Sequence, residues 1–284
     1  MVIGWQLCTT LSLSAGQRFS LSFSGGLNYL TVGDTNAYLD GFNRRFSFVP
    51  DRLETFHSGV DLNAEIGYRI TPRLEVAIGL GLVRDGLTGN DLITKFQYVR
   101  EDHYRVDVSV KTIPLQLVLH YRLGGSARFS CGVHAAVFFN WASWTMRTDH
   151  GGTYFYSNQS QYWNSERETA TGQGIGFSAG GRGEWKLGKH AAFTVDLVGR
   201  YAPLRNFSGQ RQLYYDQIGT IPSATLLSTA GELWFFEYYD TALGRWAWEL
   251  GVGGRPVGPG VRNVSRATVD FSGLALRTGL LFRF

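Results

Sequence analysis

The sequence predicts an all-β chain: an antiparallel up-and-down transmembrane β-barrel of eight strands, with ten as the alternative count. Three observations predict it. Apolar and polar residues alternate with a period of two through eight segments. The connections between those segments are alternately short and long, as in an up-and-down barrel with one short-turned rim. The polar side of the segments is rich in Gly and Ser, has few Lys and carries charges of both signs, which suits a narrow enclosed lumen better than a solvated face.

Each segment follows the same rule. In residues 18–31, Phe19, Leu21, Phe23, Leu27 and Tyr29 oppose Ser20, Ser22, Ser24, Gly26 and Asn28. In 60–70, Val60, Leu62, Ala64, Ile66, Tyr68 and Ile70 oppose Asp61, Asn63, Glu65, Gly67 and Arg69. In 74–83, Leu74, Val76, Ile78, Leu80 and Leu82 oppose Glu75, Ala77, Gly79 and Gly81. In 112–123, Ile113, Leu115, Leu117, Leu119 and Tyr121 oppose Thr112, Pro114, Gln116, His120 and Arg122. In 127–141, Phe129, Cys131, Val133, Val137, Phe139 and Trp141 oppose Arg128, Ser130, Gly132, His134 and Asn140. In 174–187, Ile175, Phe177, Ala179 and Trp185 oppose Ser178, Arg182, Glu184 and Lys186. In 191–201, Phe193, Val195, Leu197 and Tyr201 oppose Thr194, Asp196 and Arg200. In 268–284, Leu274, Leu276, Leu280, Phe282 and Phe284 oppose Ala275, Arg277, Gly279 and Arg283.

The short connections are 71–73, 124–126 and 188–190; the long ones are about 32–58, 84–105, 143–173 and 202–267. An even strand count puts both ends of the barrel domain, 17–284, on the short-turn side. In the first long connection Asp34 is expected to cap a short helix whose apolar side, Tyr38, Leu39 and Phe42, covers the barrel mouth. The third mixes Tyr, Trp, Asn, Gln and Ser, which suits an ordinary solvated loop and also an adaptable surface for a protein or glycan partner. The fourth holds a hairpin, "GELWFFEYYDTALGRWAWELGVGG", either lying over the mouth or adding two strands to the barrel. Its would-be lumen side, Leu233, Phe235 and Tyr239, is less polar than the others, which favours eight strands.

Composition excludes several classes. No apolar run reaches the roughly 18 residues of a spanning helix. The two cysteines, Cys8 and Cys131, build neither a disulfide framework nor a metal site. Lys and Arg number 27 against 23 Asp and Glu, but much of that excess falls on the polar strand faces, so no basic patch for nucleic acid is expected. Those inward charges are expected to pair across the lumen as a network of Asp61, Glu65, Arg69, Glu75, His120, Arg122, Arg128, His134, Arg182, Glu184, Asp196, Arg200 and Arg277, with Lys186 and Arg283 beside them. Aromatics near strand ends (Tyr29, Tyr68, Tyr121, Trp141, Trp185, Tyr201 and Phe284) fit girdles at lipid headgroups. Residues 1–16 are mildly apolar, end in small residues and lack a preceding Lys or Arg; they are taken as a leader or the remnant of an export signal.

The terminal stretch "RTGLLFRF" places Arg277, Gly279, Phe282 and Phe284 in a polar, Gly, apolar, aromatic order. It resembles the C-terminal assembly signal of bacterial outer-membrane barrels, and the chain is similar to small barrels of the OmpA-transmembrane, OmpX and OmpW kind. The resemblance implies a bacterial outer-membrane location, a lipid bilayer as surroundings, short periplasmic turns, long extracellular loops, and recognition of the last strand by the barrel-assembly machinery. An eight-stranded barrel is filled by its own side chains or holds one small ligand.

Enzymatic chemistry finds little footing. Asp102-His103 and Asp149-His150 are adjacent dyads, and neighbours on a strand point to opposite faces. There is no DxD or DxH. His120 and His134 fall on lumen faces, away from a lipid-modifying His and Ser pair on the outer surface. The glycine-rich "GQGIGFSAGGRG" has no helix after it and is strand packing, not a phosphate loop. The expectation is therefore a non-enzymatic structural or adhesive barrel, with no cofactor, metal or catalytic residue assigned. The alternatives are a narrow channel for small solutes or ions and, behind it, an omptin-like protease or lipid-modifying barrel.

Overall fold

A computed structural model describes residues 18–45, 52–96, 100–154, 161–218, 225–241 and 244–284; the expected leader at 1–16 lies outside them. In chain order the elements are β1 (Phe19–Leu30), α1 (Asp34–Arg45), β2 (Ser58–Arg69), β3 (Leu74–Phe96), β4 (Arg100–Gly125), β5 (Phe129–Tyr154), β6 (Gln161–Lys186), β7 (Ala191–Tyr201), β8 (Pro203–Leu204), β9 (Ser208–Ile218), β10 (Thr225–Asp240), β11 (Arg245–Gly253), β12 (Val261–Arg266), β13 (Val269–Asp270) and β14 (Gly273–Arg283). Strands β1 to β7 pair successively, β7 pairs with β14, and β14 pairs with β1, all antiparallel. The ring is closed and has eight strands, so the ten-strand alternative is set aside.

The outer face of the ring is apolar and open. Leu27, Ile66, Ile78 and Leu197 each expose more than half of their surface, while Asp61, Glu65, Asp196 and Arg182 are buried inside. All seven expected girdle aromatics are exposed, with Tyr68, Tyr121, Trp185 and Phe284 toward the short turns and Tyr29, Trp141 and Tyr201 at the other end. From Phe19 to Tyr29 the strand advances about 33 Å at about 3.3 Å per residue. A tilt near 40° turns this into a belt about 25 Å tall, the height of a membrane barrel's apolar band.

Four strands overshoot that belt. The connections expected as loops at 84–105 and 143–173 are continuations of β3, β4, β5 and β6. The side-chain alternation keeps its phase but exchanges its chemistry. On β4, Val106, Val108 and Val110 point inward and are buried, where Thr112 and Gln116 do so lower down. Outward, exposed Lys111 replaces the lipid-facing Leu115, Leu117, Leu119 and Tyr121. The exchange happens along one row of register partners: Val60, Arg84, Lys111, Ser143, Thr171 and Ser208. Below that row lipid wets the outside and charge fills the inside; above it, water wets the outside and the inside is an apolar core.

The expected long loop at 202–267 supplies most of the head above that row. β6 divides its edge, pairing with β7 over Phe177–Lys186 and with β9 over Gln161–Thr171. The sheet then runs β9–β10–β11, with β12 on the other edge of β10. The expected hairpin is β10–β11, and Leu233 and Phe235 face the core of the head instead of a lumen. Val32 and Gly33, with φ of 57° and 60°, turn the chain inward after β1 and start α1. Tyr38, Leu39 and Phe42 are buried beside Trp144, Val106, Leu250 and Phe271, so the expected cover over the mouth is present. Trp144 donates through Nε1 to Thr35 Oγ1 at 3.2 Å. Asp34 does not cap its own helix: its carboxylate accepts the backbone N–H of Thr268 at 2.7 Å, tying α1 to the segment before β13.

Candidate functional site in the lumen and the head

Inside the belt, alternation puts Asp61, Asn63 and Glu65 on one face of β2, Arg182 and Glu184 on one face of β6, and Asp196 and Arg200 on one face of β7. Three linked clusters result. In the first, the Asp61 carboxylate accepts from Arg277 Nη2 at 3.0 Å and from Arg200 Nη2. Gly26 lies between Asp61 and Arg277 in the register, and a Cβ there would sit 1.8 Å from the Leu276 carbonyl oxygen. Its bare backbone is what lets the two ions meet across β1.

In the second cluster, Arg182 bridges two carboxylates. Its Nε and Nη2 donate to Asp196 at 2.7 and 3.1 Å, and Nη2 also reaches Glu65 at 3.3 Å. Glu65 further contacts His120 Nε2 at 3.1 Å and accepts from Asn63 at 2.7 Å, and Asn63 in turn accepts from Gln116. His134 packs against His120 with ring centroids 5.4 Å apart. The third cluster lies at the short-turn rim. Glu184 accepts from Arg283 at 2.6 Å, Ser130 at 3.0 Å and Arg122 at 3.5 Å; Glu75 accepts from Ser20 at 2.6 Å, with Arg69 4.0 Å away.

The structure thus brings together all the residues expected in the network except Arg128. That residue stands exposed in the turn before β5, because the strand begins at Phe129. Lys186, at the end of β6, is exposed as well. Both errors sit at strand ends, where alternation stops fixing direction. Arg283 belongs inside, as a partner of Glu184. The space left at the short-turn rim is a cavity of about 40 Å³ lined by Arg69, Glu75, His120, Arg122, Arg182 and Glu184, room for a few waters. In the terminal strand, Arg277 and Gly279 face the lumen and Phe284 faces out, 61% exposed.

Two polar clusters in the head were not foreseen. Asp102 and His150 meet through Tyr162, whose hydroxyl donates to Asp102 at 2.7 Å and lies 2.9 Å from His150 Nε2. The His150 ring also stacks on Tyr104, centroids 4.1 Å apart. The adjacent dyads read from the sequence are therefore not units, since Asp102 works across strands with His150. Further along, Arg45 of α1 binds Asp240 and Glu249, both at 2.7 Å, and Arg211 of β9 binds Glu166 at 2.5 Å and Glu168 at 3.5 Å. Glu168 is 1% exposed and accepts the Val252 N–H at 3.1 Å. Burial first, and then the neighbouring Glu166, hold its carboxyl well above the ordinary range; burial likewise raises Glu249.

No protein-family model matches the chain, and no curated protein matches it in sequence. Among solved structures it is similar to a major outer membrane protein from Thermus thermophilus, at 14% identity and a TM-score of 0.36, over 94% of this chain and 99% of that one. It is similar to the outer membrane protein OprG from Pseudomonas aeruginosa, at 12% identity and a TM-score of 0.35, over 95% of this chain and 97% of that one. It is also similar to the outer membrane protease OmpT from Escherichia coli, at 10% identity and a TM-score of 0.34, over 97% of this chain and 99% of that one. All three are outer-membrane proteins.

This chain has the fold of an outer-membrane β-barrel. The assignment rests on its own closed ring of eight strands, the apolar belt outside and the paired ions inside.

Proposed function

We propose that this barrel is a non-enzymatic, non-conducting scaffold: it seals its lumen and holds a folded β-rich head outside the membrane for contact with an extracellular protein or glycan. The observation that carries this reading is the doubly filled interior. Through the membrane belt, Asp61, Glu65, Glu184 and Asp196 are engaged by Arg122, Arg182, Arg200, Arg277 and Arg283. Above it, Trp144, Leu39, Val106 and Phe271 close the mouth. An ion entering from outside would first cross the apolar core and then compete with paired charges in a medium of low dielectric constant.

Asp102, His150 and Tyr162 do not argue for catalysis in this reading. Asp102 is 2% exposed, so its carboxylate has little room for a substrate, and its Oδ1 and the His150 Nε2 are both engaged by the Tyr162 hydroxyl. Planar-bilayer recording on the refolded full chain is the test. The reading expects no unitary conductance at neutral pH. Reproducible single-channel steps from the unmodified protein would replace it with the narrow channel.

A further inference from the structure

The lumen charges fall into two zones that balance differently. In the middle of the belt, three carboxylates, Asp61, Glu65 and Asp196, stand against three arginines, Arg182, Arg200 and Arg277, each of them in an ion pair. At the short-turn mouth the cavity is lined, besides Arg182, by four arginines, Arg69, Arg73, Arg122 and Arg283, and by two carboxylates, Glu75 and Glu184. Two positive charges are left over there in a confined space, where uncompensated charge is costly.

The contacts show where the surplus lies. Glu184 serves two arginines at once, Arg283 at 2.6 Å and Arg122 at 3.5 Å. Glu75 leans onto Ser20 at 2.6 Å, beside the bare backbone of Gly67, where a Cβ would collide with both side chains. Arg69 stays 4.0 Å from Glu75. Arg73, exposed in the turn before β3, makes no ion pair among the described residues. The Nε of Arg283 is buried without a hydrogen-bond partner. The short turns do not correct the imbalance, since 70–73, 124–128 and 187–190 carry no Asp or Glu. Arg128 and Lys186 stand exposed on the same rim, where the Lys186 N–H donates to the Arg128 carbonyl at 2.9 Å, and their field draws anions toward the mouth.

The cavity measures about 40 Å³, room for about three waters at roughly 10–15 Å³ each, or for one small tetrahedral ion in their place. The surplus of two charges matches a dianion. All three donors on Glu184 reach Oε2, and Oε1 accepts from none of the described residues. A carboxylate oxygen left over among arginines suits an anion that brings a proton of its own. Hydrogen phosphate is tetrahedral, doubly charged and carries one P–OH; sulfate and a doubly ionised phosphate monoester carry none. We propose that the short-turn mouth of the lumen is a binding site for inorganic phosphate, held by Arg69, Arg73, Arg122 and Arg283 with its P–OH directed to Glu184. The paired ions of the middle zone close the cavity from behind, so the site holds its ion without passing it on.

The test is isothermal titration calorimetry on the full chain refolded in uncharged maltoside micelles. It is run at about pH 7.5 and about 0.1 M sodium chloride, where exposed charges more than about 10 Å apart are screened. Inorganic phosphate, sulfate and methyl phosphate are the probes. The proposal expects saturable one-to-one binding of phosphate, with sulfate and methyl phosphate at least about tenfold weaker, the scale of one hydrogen bond to a charged group. Arg69→Gln and Arg73→Gln should each weaken phosphate binding about tenfold on the same scale, and Arg73→Lys should keep most of it. Arg73 has no ion partner to lose, so Arg73→Gln should melt with the parent, and it decides the matter if Arg69→Gln fails to fold. Lys111→Gln makes the same change of net charge at the far end of the belt and should leave binding unchanged. No saturable phosphate binding by the parent, equal binding by the parent and Arg73→Gln, sulfate or methyl phosphate held as tightly as phosphate, or an equal loss in Lys111→Gln would each overturn the proposal.

Discussion

Arg182 shows how a single lumen residue is fixed by its surroundings. Its side chain is 8% exposed and bridges Asp196 and Glu65, themselves 1% and 6% exposed. Removing one partner of a buried ion cluster leaves the others desolvated and unpaired, at a cost of about 3–5 kcal/mol, whereas replacing the whole cluster by neutral groups of similar size is close to neutral. Arg182→Met should therefore lower the unfolding free energy in micelles by about 3–5 kcal/mol. The triple variant Glu65→Gln, Arg182→Met, Asp196→Asn should recover most of that loss, as measured by urea titration. Glycine plays the complementary part. At Gly176 a Cβ would lie 2.3 Å from the Phe138 ring, so the lumen side of β6 has no side chain where the top of the network gives way to the core of the head.

At the scale of the element, the ring strands were legible because each presents small and charged residues on one side and large apolar ones on the other. The upper halves of β3 to β6 were not, for a physical reason. The alternation there is just as regular, but its inside is Val106, Val108, Val110, Trp144 and Met146 and its outside is Lys111, Ser143 and Thr145, the reverse of the membrane part. A pattern sought in one polarity ends where the solvent changes, and the continuation passes for a loop. The pairing of Asp102 with His150 was hidden because it depends on register between β4 and β5 and on Tyr162 from β6, none of which spacing along the chain reveals. The contact between β6 and β11 carries a prediction of its own. Glu168 accepts the Val252 N–H, and it is faced by Glu166 on its own strand and Arg211 from β9, with Tyr38 of α1 nearby. Its carboxyl is raised above the ordinary 4.5, so the folded head favours the neutral form. The stability this contributes is full below the ordinary value and is lost as pH rises through the raised one. The urea midpoint of the head, followed by near-ultraviolet circular dichroism, should fall from pH 4.5 toward neutrality and beyond. Glu168→Gln keeps an acceptor for Val252, so it should flatten that fall and raise the midpoint at pH 8; an unchanged slope would remove Glu168 from the account.

At the scale of the whole molecule, the chain is two solvents' worth of protein on one continuous sheet. The lower part is an inverted barrel, ionic within and oily without; the upper part is an ordinary folded head with an apolar core, roofed by α1 and by β10 and β11. Both share β3 to β6, so the division lies in side-chain chemistry and not in the backbone. The row through Arg84, Lys111, Ser143 and Thr171 marks the division. A spin-label scan along the outer face of β4 tests this most directly. Cysteine is placed singly at Arg105, Asp107, Ser109, Lys111, Ile113, Leu115, Leu117 and Leu119, after Cys8 and Cys131 are changed to serine. The account predicts preferential collision with the aqueous nickel chelate at 105–111 and with oxygen, which concentrates in lipid, at 113–119, with the crossover between Lys111 and Ile113. Equal access of the nickel chelate to Leu115 and Leu117, or no crossover along the strand, would contradict it.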